Sequence, residues 1–268
     1  MGSTFRQDLL AGKVALVTGG GSGICKGIAA AFVAHGADVG IVGRKADRLE
    51  AAAAELSAMG PGRAFALPGD VRDYAAMEAV VDALIERAGG LHIVVNGAAG
   101  NFLCTAAKLS SNGFRTVLDI DAVGTFNVSR VAFDKALQKR GGCIINISAT
   151  LHYGATLMQI HAASAKAAVD ATTRGMALEW GPAGVRVNGI APGPIDDTEG
   201  VVRLLPPGQR ARAERAIPLR RFGRIDEIAD VALFLASDAA SLVTGLVVVA
   251  DGGACLPTGM SLGLSGAV

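Results

Sequence analysis

Short apolar runs alternate with longer, alanine-rich segments along most of the chain. The apolar runs have the length and β-branched content of buried strands, and the segments between them have the composition of helices. The predicted strands are VALVT (14–18), DVGIVG (38–43), RAFALP (63–68), LHIVVN (91–96), CIINIS (143–148), VRVNGIA (185–191) and GLVVVADGG (245–253). The predicted helices cover residues 24–35, 46–60, 74–89, 113–139, 159–180 and 227–237.

Strands that are apolar along their whole length are typical of parallel sheets with helices on both faces. The pattern therefore predicts an α/β fold with a doubly wound, seven-stranded parallel sheet. No linker or repeat divides the 268 residues, so we expect a single domain, residues 1–268. Ligands of such sheets bind at the carboxyl ends of the strands. The one long irregular stretch, about residues 192–217, is expected to form a lid over that edge.

Composition and charge exclude several classes of protein. Hydrophobic residues make up 51% of the chain and charged residues 18%, which allows a large core and excludes a disordered chain. The net charge of +1 provides no basic field for nucleic acid, and the apolar runs are too short to span a membrane. The four widely spaced cysteines have no metal-binding or redox spacing, which predicts a reduced protein without a metal site.

The first strand is followed by a glycine-rich segment, TGGGSGIC (18–25), and then by a predicted helix. Glycines let the backbone approach a pyrophosphate, and the helix N-terminus stabilises the anion. The segment resembles the TGxxxGxG fingerprint of the short-chain dehydrogenase/reductase family, whose members have a Rossmann fold. The resemblance assigns cofactor binding to Gly19, Gly20, Gly21, Ser22, Gly23 and Ile24. Cys25 replaces the last glycine, and we expect a buried thiol that shifts the helix slightly.

The second strand ends at Gly43-Arg44, where NAD-specific folds place an acidic residue for the ribose 2′-hydroxyl. A guanidinium suits a 2′-phosphate because it offers planar, bidentate donors. We therefore predict NADPH as the cofactor. By the same family resemblance, Asp70 and Val71 of GDVRD contact the adenine, and NGAAG (96–100) walls the cofactor cavity. The resemblance also assigns cofactor contacts to Pro192, Gly193, Pro194, Ile195 and Thr198.

The family's catalytic tyrosine is missing from this chain. The family pattern Tyr-x-x-x-Lys uses the lysine to bind the nicotinamide ribose and to lower the tyrosine pKa, so that the phenol can protonate an alkoxide. In this chain Lys166 is present, but Ala162 occupies the tyrosine position four residues before it. The enoyl reductases of the superfamily keep a tyrosine seven residues before the lysine, and that position is Gln159. Neither of the two tyrosines, Tyr74 and Tyr153, has either spacing.

An aspartate stands where many family members carry a catalytic asparagine. In DIDAVGTFN, Asp121 comes three residues before Gly124, on a predicted helix face that is mostly apolar. A buried carboxylate needs a reason, and it can be either a paired structural acid or part of an active site. We interpret Asp121 as functional because the family places this position near the nicotinamide.

Both departures, with the motifs AAGNFL (98–103), LDIDAVGTFNVSRV (118–131) and HAASAKAAVDATTR (161–174), resemble the 2,4-dienoyl-CoA reductases, and most of all their peroxisomal-type branch. The resemblance covers about residues 8 to 256. It implies reduction of a 2,4-dienoyl-CoA to a 3-enoyl-CoA by NADPH in the β-oxidation of unsaturated fatty acids. Hydride adds at C5, charge flows to the thioester oxygen, and a proton reaches C2. Asp121 would then orient the water that delivers the proton, while Lys166 holds the ribose.

The resemblance also implies how an acyl-CoA substrate is held. It assigns substrate contacts to Arg72, Phe102, Ser110, Ser111, Asn112 and Arg203. Seven arginines lie within residues 203–224 and could meet the phosphates of coenzyme A, although a solvated amphipathic helix would also explain most of them. Ser148, Ser164, His152 and His161 are weaker candidates with ordinary structural explanations.

Several expectations stay open at this point. The family usually forms homotetramers, so we expect one here, without nucleic acid or membrane as a partner. The tail lacks the peroxisomal Ser-Lys-Leu signal and the N-terminus lacks a secretory core, so we expect a cytoplasmic protein, while the family resemblance leaves the peroxisome open. Two other functions fit the same residues: a carbonyl reductase or 3-hydroxyacyl dehydrogenase that uses another acid such as Tyr153, and a noncatalytic NADPH-binding protein.

Overall fold

A computed structural model describes residues 4–198, 200–201 and 208–256 of the protein. All seven predicted strands are present and pair in parallel in the order β3-β2-β1-β4-β5-β6-β7. They are β1 (Val14–Thr18), β2 (Asp38–Gly43), β3 (Ala64–Pro68), β4 (Ile93–Asn96), β5 (Gly142–Ile147), β6 (Val185–Pro192) and β7 (Val247–Ala250). The strand order reverses between β1 and β4, so a crevice opens at their carboxyl ends.

Helices cover both faces of this sheet. They are α1 (Gly23–Ala34), α2 (Ala46–Ser57), α3 (Tyr74–Ala88), α4 (Ser111–Leu118), α5 (Gly124–Ala132), α6 (Gln138–Arg140), α7 (Ile160–Trp180), α8 (Arg210–Ala216) and α9 (Ile225–Ala236). One apolar core holds buried residues of α1, α2 and α9, and a second holds buried residues of α3, α5 and α7. The doubly wound α/β fold predicted from the sequence is therefore confirmed.

Turn chemistry accounts for several helix ends. Asp73 caps α3 by accepting a hydrogen bond from the Ala76 N–H, and α3 ends at Gly89, whose φ of 81° suits glycine. Ser110 caps α4 by accepting from the Gly113 N–H. These caps satisfy backbone groups that would otherwise lack partners at the helix ends.

Two predicted elements differ from the structure. The helix expected over 113–139 is interrupted by π-helical turns at Asp119–Val123 and Phe133–Leu137, because hydrophobic periodicity does not reveal a single inserted residue. The irregular stretch expected over about 192–217 contains α8, a helix whose alternating arginine and alanine residues gave no apolar stripe. Residues 199 and 202–207 of that stretch lie outside the described part of the chain.

Candidate active site

Two adjoining cavities open at the carboxyl edge of the sheet. The first, of about 590 Å³, lies over the glycine-rich segment and the ends of β2 and β3; we call it the cofactor cavity. The second, of about 680 Å³, lies between the loop after β5 and the loop after β6; we call it the acyl cavity. Both are lined by Ile24, Ile147, Ser148, Thr198 and Gly200, so the two spaces meet. Together they could receive two ligands placed end to end.

The floor of the cofactor cavity is formed by the glycine-rich segment between β1 and α1. Gly19 has a φ of 72°, and a Cβ there would lie 2.9 Å from the carbonyl oxygen of Gly97. A Cβ at Gly20 would lie 2.7 Å from Ile41 Cγ2. Ser22 precedes α1 without capping it, which leaves N–H groups of the helix N-terminus open toward the cavity. The segment therefore presents backbone N–H donors that no side chain covers, as the binding of a pyrophosphate requires.

The cysteine at the last fingerprint position is accommodated by a glycine elsewhere. Cys25 is buried, and burial raises the pKa of its thiol to about 12, so the thiol is inert. A Cβ at Gly97 would lie only 2.0 Å from Cys25 Sγ. The sulfur thus fills space that a larger residue at 97 would need. The expected buried thiol is confirmed, and its compensation by Gly97 is a feature that the sequence did not reveal.

Charged side chains surround the far end of the cofactor cavity. Arg44 is exposed and lines this cavity, where no described residue lies within ion-pair distance of its guanidinium. Asp70 also lines the cavity but accepts hydrogen bonds from the Arg72 backbone and guanidinium, which lower the pKa of its carboxyl. Arg72, expected to bind substrate, therefore stands on the cofactor side. Val71 also faces this cavity.

A buried ion pair joins Asp121, which is absent from the described lining of both cavities, to Lys166. Asp121 is 1% exposed, and its Oδ2 lies 3.0 Å from Lys166 Nζ. Its Oδ1 accepts a hydrogen bond of 2.8 Å from the Gly100 N–H. Lys166 Nζ also donates to the carbonyl of Ile147 at 2.9 Å and lines the cofactor cavity. The two residues that the sequence analysis assigned to catalysis are thus in direct contact, which spacing along the chain could not show.

The π-helical turn brings Asp121 into this position. Its extra residue rotates Asp121 inward while Thr125 Oγ1 donates to the Asp121 carbonyl. Gly124 allows close packing, since a Cβ there would lie 2.5 Å from Val71 Cγ2. Asn127 Nδ2 donates to the Val71 carbonyl at 3.0 Å and fixes the same contact. The segment that carries Asp121 is therefore anchored against the wall of the cofactor cavity.

No tyrosine replaces the missing acid within the cavities. Ala162 is buried at the family's tyrosine position. Tyr153 is absent from the described lining of both cavities, and burial together with the nearby Asp170 charge raises the pKa of its phenol. A raised pKa makes the phenol a weaker proton donor. The arrangement does not support a role for Tyr153 as the substitute acid.

Two amide side chains stand at the acyl cavity instead. Asn101 Nδ2 donates to Gln159 Oε1 at 2.6 Å, and both residues line the cavity. Asn101 Oδ1 is buried without a hydrogen-bond partner. Gln159 occupies the position of the enoyl-reductase tyrosine, so its amide replaces a phenol. Sequence patterns alone did not indicate a role for either residue.

Four of the residues expected to bind substrate, Phe102, Ser110, Ser111 and Asn112, are absent from the described lining of both cavities. Phe102 stacks on His161 with ring centroids 4.3 Å apart, and a Cβ at Gly113 would lie 3.4 Å from Phe102 Cζ. Ser110, Ser111 and Asn112 are exposed at the start of α4, beside Phe102. Arg203 lies outside the described residues. The contacts of this set with substrate stay predictions.

The cofactor residues expected after β6 lie mainly at the acyl cavity. Pro192, Gly193, Pro194, Ile195 and Thr198 line it, and Thr198 also lines the cofactor cavity. Thr198 Oγ1 donates to the Ile195 carbonyl at 2.7 Å, which holds this loop in a tight turn. The loop therefore lies where both ligands would meet.

Several of the arginines within 203–224 are neutralised by acids of the chain. Arg210 pairs with Asp196 and Glu214, and Arg221 pairs with Glu227. Arg224 pairs with Asp226. These contacts agree with the solvated, structural explanation for these three residues.

The described part of the chain contains neither a candidate membrane span nor a candidate metal cluster. Among the residues that the structure describes, no helix is long and apolar enough to cross a membrane. Within the same residues, no cluster of three or more histidine, cysteine or acidic side chains could hold a metal ion.

Comparison with known proteins agrees with this geometry. Residues 19–255 match the family model described as enoyl-(acyl carrier protein) reductase. The peroxisomal 2,4-dienoyl-CoA reductase [(3E)-enoyl-CoA-producing] of Danio rerio is 49% identical over 94% of this chain and 84% of its own length. The enzyme of that name from Pongo abelii is 51% identical over 94% and 87%. The solved structure of a citronellol catabolism dehydrogenase from Pseudomonas aeruginosa is 37% identical and covers 94% of this chain and 99% of its own, with a TM-score of 0.83.

Proposed function

The chain belongs to the short-chain dehydrogenase/reductase family, within its 2,4-dienoyl-CoA reductase branch, and we propose that it reduces a 2,4-dienoyl-CoA to a 3-enoyl-CoA with hydride from NADPH. The step serves the β-oxidation of unsaturated fatty acids. The buried Asp121–Lys166 pair, in a site with Ala162 at the tyrosine position, is the observation that carries the proposal. Reduction of a ketone needs an acid beside the carbon that accepts hydride. Reduction of a conjugated thioester moves the negative charge to a distant oxygen, so it does not need an acid beside the carbon that accepts hydride.

The residues of the cofactor cavity fit a nicotinamide dinucleotide phosphate. The glycine backbone at Gly19 and Gly20 leaves room for a pyrophosphate against the N-terminus of α1. Arg44 offers a guanidinium that no described acid neutralises by an ion pair, and this favours NADPH over NADH. Lys166 keeps an N–H beyond its contacts with Asp121 and Ile147 and would bind the ribose. When bound, NADPH supplies the hydride.

The amide pair in the acyl cavity is suited to the thioester oxygen. Gln159 accepts a hydrogen bond through Oε1, so its Nε2 remains available as a donor toward the cavity. Asn101 Nδ2 has a second hydrogen beyond the one that it gives to Gln159. Preorganised donors at the oxygen stabilise the charge that develops as hydride adds at C5. These two residues extend the site that the sequence predicted.

Asp121 would hold the water that protonates C2. Its carboxylate accepts from the Gly100 N–H and contacts the Lys166 ammonium, so its role in both contacts is that of an acceptor. A remaining lone pair can accept from a water, which would give its other hydrogen to C2 of the substrate; a proton from solvent would then restore the resulting hydroxide to water. Lys166 fixes the carboxylate and the ribose at once. This couples the positions of the proton source and the hydride source.

Steady-state assays with NADPH test the proposal against its two alternatives. Purified protein is given a 2,4-dienoyl-CoA, a matched 2-enoyl-CoA or a 3-oxoacyl-CoA. A carbonyl reductase would reduce the oxo ester, and a noncatalytic protein would bind NADPH without turnover. The raised pKa of Tyr153 counts against the first alternative. The intact contact of Asp121 with Lys166 counts against the second.

The homotetramer and the compartment remain expectations from the sequence. We infer a homotetramer because such assembly is common in this family, and sedimentation equilibrium would test it. We keep the cytoplasm as the expected compartment. The word peroxisomal in the names of the relatives refers to those proteins, and fluorescence microscopy of the tagged full-length chain would decide.

A further inference from the structure

We propose that Asp170 is a positioning residue that fixes the wall of the acyl cavity through Ser148 and His152. This inference rests on the proposed function, since it assumes that the acyl cavity receives the dienoyl-CoA chain. Asp170 lies on α7, four residues after Lys166, and is 4% exposed. A carboxylate buried to this degree needs strong partners. None of the steps of hydride or proton transfer described above uses it.

Each oxygen of Asp170 contacts a different residue of one segment. Ser148 Oγ donates to Oδ1 at 2.5 Å, and His152 Nε2 lies 2.9 Å from Oδ2. Ser148 directly follows β5, and His152 ends the 3₁₀ turn Thr150–His152. The carboxylate therefore cross-links the loop after β5 to the helix that carries Lys166.

The cross-linked segment forms one side of the acyl cavity. Ala149, Thr150 and Leu151 line this cavity, whereas Ser148 lines both cavities. His152 Nδ1 is buried without a hydrogen-bond partner, so the ring is oriented by its contact with Asp170 and by an edge-on contact with the Tyr153 ring. Loss of that contact would release the turn and widen the acyl cavity, while the cofactor cavity would keep its glycine-rich floor.

The hydrogen bond from Ser148 to Asp170 determines which hydrogen bonds the Ser148 hydroxyl can make with a ligand. Its hydrogen is given to Asp170, so only lone pairs are left for the junction of the two cavities. Ser148 can then accept a hydrogen bond from a ligand but cannot donate one to the thioester oxygen. This leaves the donor role at that oxygen to Asn101 and Gln159, which agrees with their place in the acyl cavity.

The test compares four single variants and one double variant in steady-state kinetics and in equilibrium binding of a nonreducible saturated acyl-CoA to the NADP⁺-loaded protein. Asp170→Asn keeps the side-chain shape but removes one acceptor. His152→Phe removes the donor, and His152→Gln keeps a donor at a similar reach. Asp134→Asn changes an exposed acid that pairs with Arg130 far from this segment and serves as the control. Thermal unfolding of each variant identifies any that fails to fold. If Asp170→Asn does not fold, His152→Phe carries the test in its place.

We expect Asp170→Asn and His152→Phe each to raise the acyl-CoA KM and Kd by roughly fivefold or more, about the net contribution of one hydrogen bond. The NADPH KM should stay within about twofold, and His152→Gln should resemble the wild type. The double variant Asp170→Asn/His152→Phe should be no worse than either single one, because both break one cross-link. Equal losses for both ligands, or unchanged acyl-CoA affinity, would overturn the positioning role. Wild-type protein that binds acyl-CoA without reducing the dienoyl ester would contradict the proposed reaction alone, whereas wild-type protein that binds no acyl-CoA would overturn both.

Discussion

The Asp121 carboxylate lies 3.0 Å from the Lys166 ammonium, and both side chains are almost fully buried. The pair joins the π-helical turn before α5 to α7, two segments that are far apart in sequence. The proposed catalytic pair also affects stability, because each buried charge is compensated by the other. Variants of either residue must therefore be measured for both stability and turnover.

Asp121→Ala should lower the free energy of unfolding by about 3 kcal/mol, because it leaves the Lys166 charge buried without its partner. The double variant Asp121→Ala/Lys166→Met should lose less than the sum of the two single variants. Chemical denaturation of all four proteins gives the coupling. Additive losses would mean that the two charges do not stabilise each other.

Asp121→Ala should reduce kcat by roughly 100-fold or more while NADPH still binds, because the change removes the oxygens that would hold the proton-donating water. The loss then reports the acceptor role of the carboxylate. Stopped-flow measurement of NADPH oxidation, with NADPH binding followed by fluorescence, separates the two effects. Wild-type turnover in the variant would remove Asp121 from the mechanism.

Arg44→Glu should reverse the preference for NADPH. The change removes a donor to the 2′-phosphate and adds a repelling charge, so the ratio of kcat/KM for NADPH over NADH should fall by roughly 10- to 100-fold. Arg87→Glu, an exposed residue in the last turn of α3, makes the same charge change away from the cavity and is the control. An unchanged ratio in Arg44→Glu would contradict its assignment.

Cys25 and Gly97 should behave as a coupled pair. Gly97→Ala brings a Cβ to 2.0 Å from Cys25 Sγ and should destabilise the protein by about 1–3 kcal/mol through overpacking. Cys25→Gly should relieve the clash in the double variant. Gly175→Ala on α7, where a Cβ meets nothing within 4 Å, is the control and should be neutral or stabilising. Thermal unfolding measures all four, and an equal loss in the single and double variants would exclude the coupling.

The N-terminal cap of α9 should make stability depend on pH. Hydrogen bonds from Arg221, and then from the Arg224 N–H, lower the pKa of Glu227 to about 2. Because this pKa is below that of the unfolded chain, the stabilisation is complete above the unfolded value and declines as the pH falls through the folded one. Glu227→Gln should therefore lower the stability at pH 7, and its difference from the wild type should shrink toward pH 2. A difference that stays constant with pH would contradict this ionic role.

Local patterns predicted most of this fold for clear physical reasons. The strands are apolar on both faces because helices cover both, so VALVT and CIINIS were identified without any tertiary information. The glycine-rich segment was identified because its conformation requires glycine at position 19. The π-helical turns were missed, since one inserted residue hardly changes hydrophobic periodicity.

The sequence predicted individual residues of the site but not the contacts between them. Asp121 and Lys166 were assigned separately, and only the fold brings them together. Asp170 gave no signal, because a single acid in a helix of mixed composition resembles a solvent-exposed one. The Cys25–Gly97 contact depends on the distance between α1 and the loop after β4, which sequence spacing does not encode. The sequence alone could not predict these contacts between residues that are distant along the chain.

The most direct test of the central claim is NADPH oxidation by the purified protein with a 2,4-dienoyl-CoA, compared with a matched 2-enoyl-CoA and a 3-oxoacyl-CoA. We predict turnover of the dienoyl ester alone, with the 3-enoyl-CoA as the product identified by mass spectrometry and NMR. Turnover of the oxo ester alone would mean that another residue replaces the missing tyrosine, and it would contradict the proposed reaction.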